Sequence, residues 1–276
     1  MSGTLYIIGT PIGNLEDITL RQLRMLEEVD FIAAEDTRVT RKLLNHYNIK
    51  TPIVSFHEHS GETGAKRIAA RILEGESCGI VTDAGMPCIS DPGEPLIKLC
   101  YDMSIPVTVI PGPSAVVTAI ALAGQPSGQF VFEGFLPVPK KERCERLKRL
   151  SIETRTIILY EAPHKLLKTL IDLSETLGNE RNISICRELT KIHEEVIRTT
   201  IGNAKALYNE REPRGEYVLV IAGADKSTFA ERTYTLEDAA ELAKNYAEND
   251  GMKKRDACKK AAEETGFRIN EIYGAM

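Results

Sequence analysis

The stretch Cys78–Gly93, CGIVTDAGMPCISDPG, constrains this chain's fold more than any other. It opens as a short strand and runs straight into a loop holding two Gly, two Pro and two Asp. Gly85 permits backbone angles closed to other residues, and Pro87 and Pro92 stiffen the rest of the loop. Open α/β sheets place their ligands against such loops at the C-terminal ends of buried strands. Loop 82–93 is therefore expected to form one wall of a small-molecule site.

The same strand, loop and helix rhythm recurs through the first half. Leu5–Ile8 ends in Gly9-Thr10-Pro11-Ile12-Gly13-Asn14, and Val107–Ile110 ends in Pro111-Gly112-Pro113-Ser114-Ala115. Phe31–Ala34 and Ile53–Phe56 read as further strands. Thr19 with Gln22 three residues on fits a capping box, and Leu20, Leu23 and Leu26 give the ensuing helix an apolar stripe. This alternation predicts a parallel sheet covered on both faces. The three Gly/Pro loops then fall on one sheet edge and can converge on one crevice. Taken singly, each also reads as an ordinary tight turn. Neither a G-x-G-x-x-G nor a P-loop pattern occurs.

The break at Gly124–Gly128 sets the expected organisation: an N-terminal α/β domain over 1–124, a second α/β domain over 125–228, and a helical appendage over 229–276. In the second domain the adjacent strands 183–186 and 195–199 imply a hairpin and hence a mixed sheet. The appendage has helix–turn–helix spacing.

The net charge of −5 over 276 residues argues against a basic coat, and leaves room for local patches. Lys140, Lys141, Arg143, Arg146, Lys148 and Arg149 crowd one helix, and Lys253, Lys254, Arg255, Lys259 and Lys260 another. They read as solvated helix faces or as contacts to a phosphate backbone. The six Cys contain no C-x-x-C pair, so neither a zinc site nor a disulfide framework is expected. No leader and no apolar run of membrane length is apparent, so a cytoplasmic protein is expected.

Two polar clusters sit at strand ends. Glu35-Asp36-Thr37-Arg38 suits the orientation of a hydroxyl or phosphate, and equally fits a helix N-cap with a local ion pair. His57-Glu58-His59 has the alternation of a metal pair but no partner set with metal spacing, so surface histidines are the stronger reading and no metal is expected.

The motifs LYIIGTPIGNLEDITL (5–20), AAEDTR (33–38), SFHEH (55–59), VTDAGMPCISDPG (81–93), VIPGPSA (109–115), FEGFLP (132–137), LYEAPH (159–164), CREL (186–189) and GEYVLVI (215–221) resemble the ribosomal RNA methyltransferase branch of the tetrapyrrole-methylase-like, class III S-adenosylmethionine methyltransferases. The resemblance spans essentially the whole chain. It implies two α/β domains with S-adenosylmethionine folded into the cleft between them, a homodimer, and methylation of the ribose 2′-hydroxyl of a decoding-centre cytidine in 16S rRNA of the small subunit. By resemblance Pro11 belongs to the first cofactor loop, Gly85, Met86 and Ile89 to the second, and Ser114 and Ala115 to the third. Tyr160, Glu161, Arg187 and Glu188 supply the opposite side. Porphyrinoid-type relatives carry Gly-Asp-Pro where this chain has Gly85-Met86-Pro87, so a backbone cradle without an acidic hook is expected there.

Within that frame Asp36, His57 or Glu58 is expected to act as base or orienter, with Arg38 on an adjacent phosphate. The basic helices, through Lys140, Lys141, Arg143, Lys253, Lys254, Arg255, Lys259 and Lys260, are expected to position RNA. The alternatives are a porphyrinoid C-methyltransferase and a non-catalytic RNA-binding assembly factor.

Overall fold

In a computed structural model, residues 2–57, 60–91, 93–225, 235–248 and 251–276 are described. Met1–Ala224 packs as one compact unit and Asp225–Met276 as another.

The first unit contains two five-stranded sheets. Strands β1 (Leu5–Ile8), β2 (Phe31–Ala34), β3 (Ile53–Ser55), β4 (Cys78–Val81) and β5 (Val107–Ile110) form an all-parallel sheet of order β3-β2-β4-β1-β5. Both faces are covered, as the apolar runs demand. Leu5 and Ile7 point into a layer shared with α3 (Gly61–Leu73) and α4 (Glu94–Asp102). Tyr6 and Ile8 point into the opposite layer, beneath α1 (Leu20–Glu28) and α2 (Thr37–His46). The parallel strand–helix alternation expected from the sequence is therefore the one found.

In the second sheet β6 (Phe130–Phe135), β7 (Thr156–Glu161), β8 (Asn182–Arg187), β9 (Glu195–Thr200) and β10 (Tyr217–Ile221) run in the order β6-β7-β10-β8-β9. Only β6 and β7 are parallel neighbours, and β8 and β9 form the expected hairpin. Helices α6 (Lys140–Ser151), α7 (Pro163–Leu177) and α8 (Ile201–Glu210) cover one face. The other face is covered by α5 (Ala115–Ala123), which follows the last strand of the first sheet. Val116, Ala119, Ile120 and Ala123 of α5 pack with Ile158, Cys186, Val218 and Val220, and Ile12 from the loop after β1 joins them. The Ser184 hydroxyl donates to the Ala123 carbonyl at 2.8 Å. Helix α5 and the first loop thus tie the sheets together, and each fully buried Ile or Leu in these layers contributes about 1.5–3 kcal/mol.

The capping box forms: the Thr19 hydroxyl accepts from Gln22 N at 3.1 Å, and the Gln22 side chain accepts from Thr19 N at 2.6 Å. The stripe on α1 is shifted from its expected position. Leu20 is 86% exposed, while Gln22 is fully buried beside Met25 and Leu26.

The second unit packs α9 (Leu236–Glu248), α10 (Lys254–Thr265) and α11 (Ile269–Ala275) around Ala239, Ala243, Cys258, Ala261 and Ile272. Four of these five side chains are Ala or Cys, which lets the helices approach closely. All six cysteines are free thiols. Among the described residues no helix is long and apolar enough to cross a membrane, and no group of three or more His, Cys, Asp or Glu could hold a metal ion.

Candidate functional site

The three Gly/Pro loops of the first sheet meet. Thr10 and Gly85 form an isolated antiparallel bridge, with Thr10 N donating to Gly85 O at 2.8 Å and Gly85 N to Thr10 O at 3.1 Å. The Thr10 hydroxyl donates to Thr82 O at 3.1 Å. The third loop comes so close that a Cβ on Gly112 would lie 3.0 Å from Gly9 Cα and 2.3 Å from Gln22 Nε2. The buried Gln22 amide donates to Gly9 O at 2.5 Å and so holds the first loop from behind. Met86 does more than the backbone cradle expected of it, because its sulfur accepts from Gly112 N at 3.3 Å and pins the second loop to the third.

The opposite wall comes from the second sheet. The β6–β7 register shifts between Phe132 and Gly134, and Gly134 has a φ of +63°. Such a bulge re-aims the side chains beyond it. Phe135 stacks edge-on to Tyr160, with ring centroids 5.6 Å apart. The space where a Cβ of Gly134 would stand lies 3.1 Å from the Ser90 hydroxyl, so the bulged strand meets the second loop.

Between these walls lies a cleft of about 360 Å³, within the roughly 300–1,000 Å³ range of small-molecule sites. Gly85, Met86, Ile89, Ser114 and Ala115 line it from one side and Tyr160 and Glu161 from the other. Three further cofactor candidates are not brought to it. Pro11 is buried, and its neighbour Ile12 lines the cleft instead. The Arg187 guanidinium donates to Arg214 O at 2.7 Å and faces Glu195. Glu188 is held by Lys191 at 2.8 Å and by Glu216 N at 2.9 Å.

Glu161 is buried and held from two sides. One oxygen accepts from Ala162 N at 2.8 Å, the other from the Thr169 hydroxyl. Thr169 in turn accepts from Arg143 Nη2 at 2.8 Å, and Arg143 Nε donates to Asp172 at 2.6 Å. Arg143, an expected RNA contact, is therefore a buried strut behind the cleft. It shares the inward face of α6 with Leu147 and Leu150. Lys140 and Lys141 are exposed, as are Lys253, Lys254, Arg255 and Lys259. Lys260 lies over the Tyr246 ring at 3.8 Å and Lys254 over Tyr273 at 4.6 Å.

The first-sheet candidates for catalysis stand away from the cleft lining. Asp36 is the N-cap of α2, accepting from Arg38 N at 2.8 Å and gripped by the Arg38 guanidinium at 2.6 Å. That hydrogen-bonded pairing lowers its pKa to about 2, which makes it a poor base near neutrality. His57 is exposed in the turn after β3, its Nδ1 3.4 Å from the Ser60 hydroxyl. Glu58 and His59 lie outside the described residues.

Asp91, which is not among the site residues expected from the sequence, lines the cleft. It follows Cys88 and Ser90, two non-glycine residues at φ +70° and +65°. Burial raises its pKa to about 6, with the charges of Glu35 and Asp83 adding to the rise. Across the cleft, burial and the charge of Asp91 push the Tyr160 hydroxyl up to about 12.

Among the described residues the lining carries three carboxylates, Asp91, Glu161 and Glu216, and no Lys, Arg or His. Apolar and aromatic walls with acidic groups suit a ligand that is partly apolar and cationic. They are a poor match for phosphate, which calls for cationic partners.

A model of the tetrapyrrole (corrin/porphyrin) methylase family matches residues 4–205. A ribosomal RNA small subunit methyltransferase I from Synechocystis sp. is 44% identical over 274 residues, covering 98% of this chain and 96% of its own. One from Bacillus subtilis is 42% identical over 275 residues, covering 99% and 94%. Among solved structures, a cobalt precorrin-4 methyltransferase aligns with a TM-score of 0.61 at 20% identity, over 79% of this chain and 94% of its own. A uroporphyrin-III C-methyltransferase from Thermus thermophilus complexed with S-adenyl homocysteine aligns with a TM-score of 0.58 at 15% identity, over 80% and 97%. These structures share the fold: a parallel and a mixed sheet. The chain belongs to the tetrapyrrole methylase family and, within it, to the ribosomal RNA small subunit methyltransferase I group.

Proposed function

We propose that the cleft binds S-adenosylmethionine and that the chain transfers its methyl group to the ribose 2′-hydroxyl of a decoding-centre cytidine in the rRNA of the small ribosomal subunit. The observation that carries the reading is the segregation of charge. The cleft lining is acidic and free of basic side chains among the described residues, and none of the exposed cations of α6 or, in the second unit, of α10 belongs to that lining. A cationic donor and a polyanionic acceptor are thereby given separate surfaces. The names of the relatives support the RNA, and the motif resemblance supports the ribose oxygen.

The bound cofactor supplies an electrophilic methyl group on a sulfonium. The chain's residues supply position: the Thr10–Gly85 bridge and the Met86 sulfur fix three loop backbones, and Glu161 is set by Thr169 and Ala162 before any ligand arrives. Such preorganisation converts binding into alignment for in-line attack. Phe135 and Tyr160 form an aromatic side of the cleft.

The two basic helices carry an oddity that favours a phosphate partner. Helix α6 opens on Lys140-Lys141 after Pro139, and α10 on Lys254-Arg255 after Lys253; neither has a side-chain cap. Cations at a helix N-terminus oppose the macrodipole, at a cost of about 0.3–1 kcal/mol each. Reversing Arg255 to Glu is thus expected to stabilise α10 slightly. The same change should weaken binding to small subunits and flatten its salt dependence, with S-adenosylhomocysteine affinity unchanged. A filter-binding salt series with calorimetry checks this, and loss of cofactor affinity would contradict the separation of surfaces.

The homodimer belongs to the same proposal. Its support is the exposure of Val109 on the edge strand β5 and of Val117 on α5; sedimentation of a Val109→Glu, Val117→Glu variant as a monomer tests it. The enzymatic reading is tested by tritiated-methyl cofactor offered with small subunits, total RNA and a porphyrinoid precursor. Label in RNA sustains it. Label in the pigment favours a porphyrinoid C-methyltransferase, and RNA binding without label favours a non-catalytic assembly factor.

A further inference from the structure

We propose that the Asp91 carboxylate accepts the proton of the ribose hydroxyl as that oxygen takes the methyl group, a role that rests on the ribose-methylation reading above. Among the first-sheet carboxylates Glu35, Asp36, Asp83 and Asp91, only Asp91 lines the cleft. It stands there with Ser90 and Ile89 on the second loop, facing Tyr160 of β7 across the opening. Asp36, at the end of the neighbouring strand β2, is N-cap and ion-pair partner of Arg38, so it is already engaged. The residues packed around Asp91 are Thr82 and Asp83 at the end of β4, Glu35 at the end of β2, Cys88 in its own loop and Tyr160 opposite. Arg38 reaches this group only through Asp83. The Thr82 hydroxyl donates to Glu35 at 2.8 Å and also acts on Asp91, where its hydrogen bond offsets part of the rise that burial causes. Asp91 lines the cleft with no Lys or Arg among the groups that act on it, so no cation suppresses its basicity.

The step balances. The O–H bond breaks with its proton passing to Asp91. An oxygen lone pair forms the O–CH₃ bond, and the S–CH₃ bond breaks with its electron pair moving to sulfur. A carboxylate and a sulfonium become a carboxylic acid and a thioether, so both charges in the cleft disappear together. The group is also tuned for proton transfer, since a carboxyl that titrates at about 6 is a stronger base than an ordinary aspartate yet remains ionised at neutral pH.

A second consequence does not involve turnover. Near pH 6 about half of the Asp91 carboxyls are protonated, and a bound sulfonium favours the ionised form. Binding of S-adenosylmethionine at that pH should therefore release up to about half a proton more than binding of neutral S-adenosylhomocysteine. The difference is read from the buffer dependence of the calorimetric enthalpy and should vanish in Asp91→Asn. Because the folded-state pKa is raised, ionised Asp91 opposes folding above it and not below the unfolded value. Asp91→Asn is therefore expected to raise the melting temperature above pH 6 and to leave it unchanged below pH 4.

The deciding experiment combines these measurements with single-turnover methylation of small subunits. Asp91→Asn should lower the rate by about 10²–10⁴-fold and abolish its rise with pH around 6. S-adenosylhomocysteine affinity should stay within about threefold of wild type, and Asp91→Glu should recover part of the rate with a pH limb. If the wild type labels ribose and Asp91→Asn matches its rate and pH profile, the role of Asp91 is overturned and the ribose reading stands. If the wild type labels no ribose, the ribose reading falls and the proton-acceptor role with it, even where Asp91-dependent proton release persists.

Discussion

Replacing Gly112 by Val is expected to abolish measurable cofactor binding while leaving both sheets folded. A Cβ at 112 would lie 2.3 Å from the Gln22 amide nitrogen and 3.0 Å from the backbone of Gly9. Gln22 is fully buried and already bonded to Gly9 O and Thr19 N, so it has nowhere to withdraw. The third loop must therefore move away from the first, breaking its contact with the Met86 sulfur. Overpacking of this kind costs about 1–3 kcal/mol of stability, a loss the two sheets can absorb. Displacing a positioning loop by an ångström costs on the order of 100-fold in function. Calorimetry with S-adenosylhomocysteine measures the loss. Gly128→Ala, where a Cβ would meet nothing within 4 Å, is the neutral control. Normal affinity in Gly112→Val would show that the loops need not touch to bind.

The second large effect is expected at Arg143. Substitution by Met removes the partner of Asp172 and the donor to Thr169, and both lie on the protected side of α7. The Arg143 and Asp172 side chains are only 10% and 24% exposed. Stranding the carboxylate should cost about 3 kcal/mol, read as a lower denaturant midpoint with unchanged slope. Asp172→Leu added to Arg143→Met should recover most of that loss, because removing both partners leaves no unpaired charge. Lys141→Met, two residues earlier on an exposed turn, should alter stability by less than about 0.5 kcal/mol. A stability loss at Lys141 and none at Arg143 would reverse the division between strut and surface cation.

Arg143 also shows where sequence reasoning stops and why. Its charge placed it with its basic neighbours, yet its spacing from Leu147 and Leu150, four and seven residues on, is that of an inward helix face. Composition and periodicity gave opposite answers there, and the bonds that Arg143 makes to Asp172 and to the buried Thr169 on another helix decided between them. The converging loops were legible because Gly, Pro and strand ends are local signals, and a parallel sheet puts them on one edge. Asp36 likewise carried its true structural part, an N-cap with a local ion pair, as one of two readings of Glu35–Arg38.

Asp91 and Phe135 carried no such signal, and Gln22 carried only part of one. Asp91 depends on the strained turn at Cys88 and Ser90 and on its distance from β7, and Phe135 depends on a bulge that shifts register by one residue. Gln22 was legible as a cap but not as the support for Gly9, which is set by the packing of α1 beneath the sheet. Each of these is a long-range coincidence with no local pattern.

Where the methyl group goes tests the central claim most directly. Small ribosomal subunits incubated with the protein and S-adenosylmethionine, then digested to nucleosides and to fragments, can be mapped by mass spectrometry. The predicted result is a single new methyl on the ribose of one cytidine, absent with Gly112→Val and strongly reduced with Asp91→Asn. A methyl on a base, methyls scattered over many nucleotides, or transfer undiminished by Gly112→Val would contradict it.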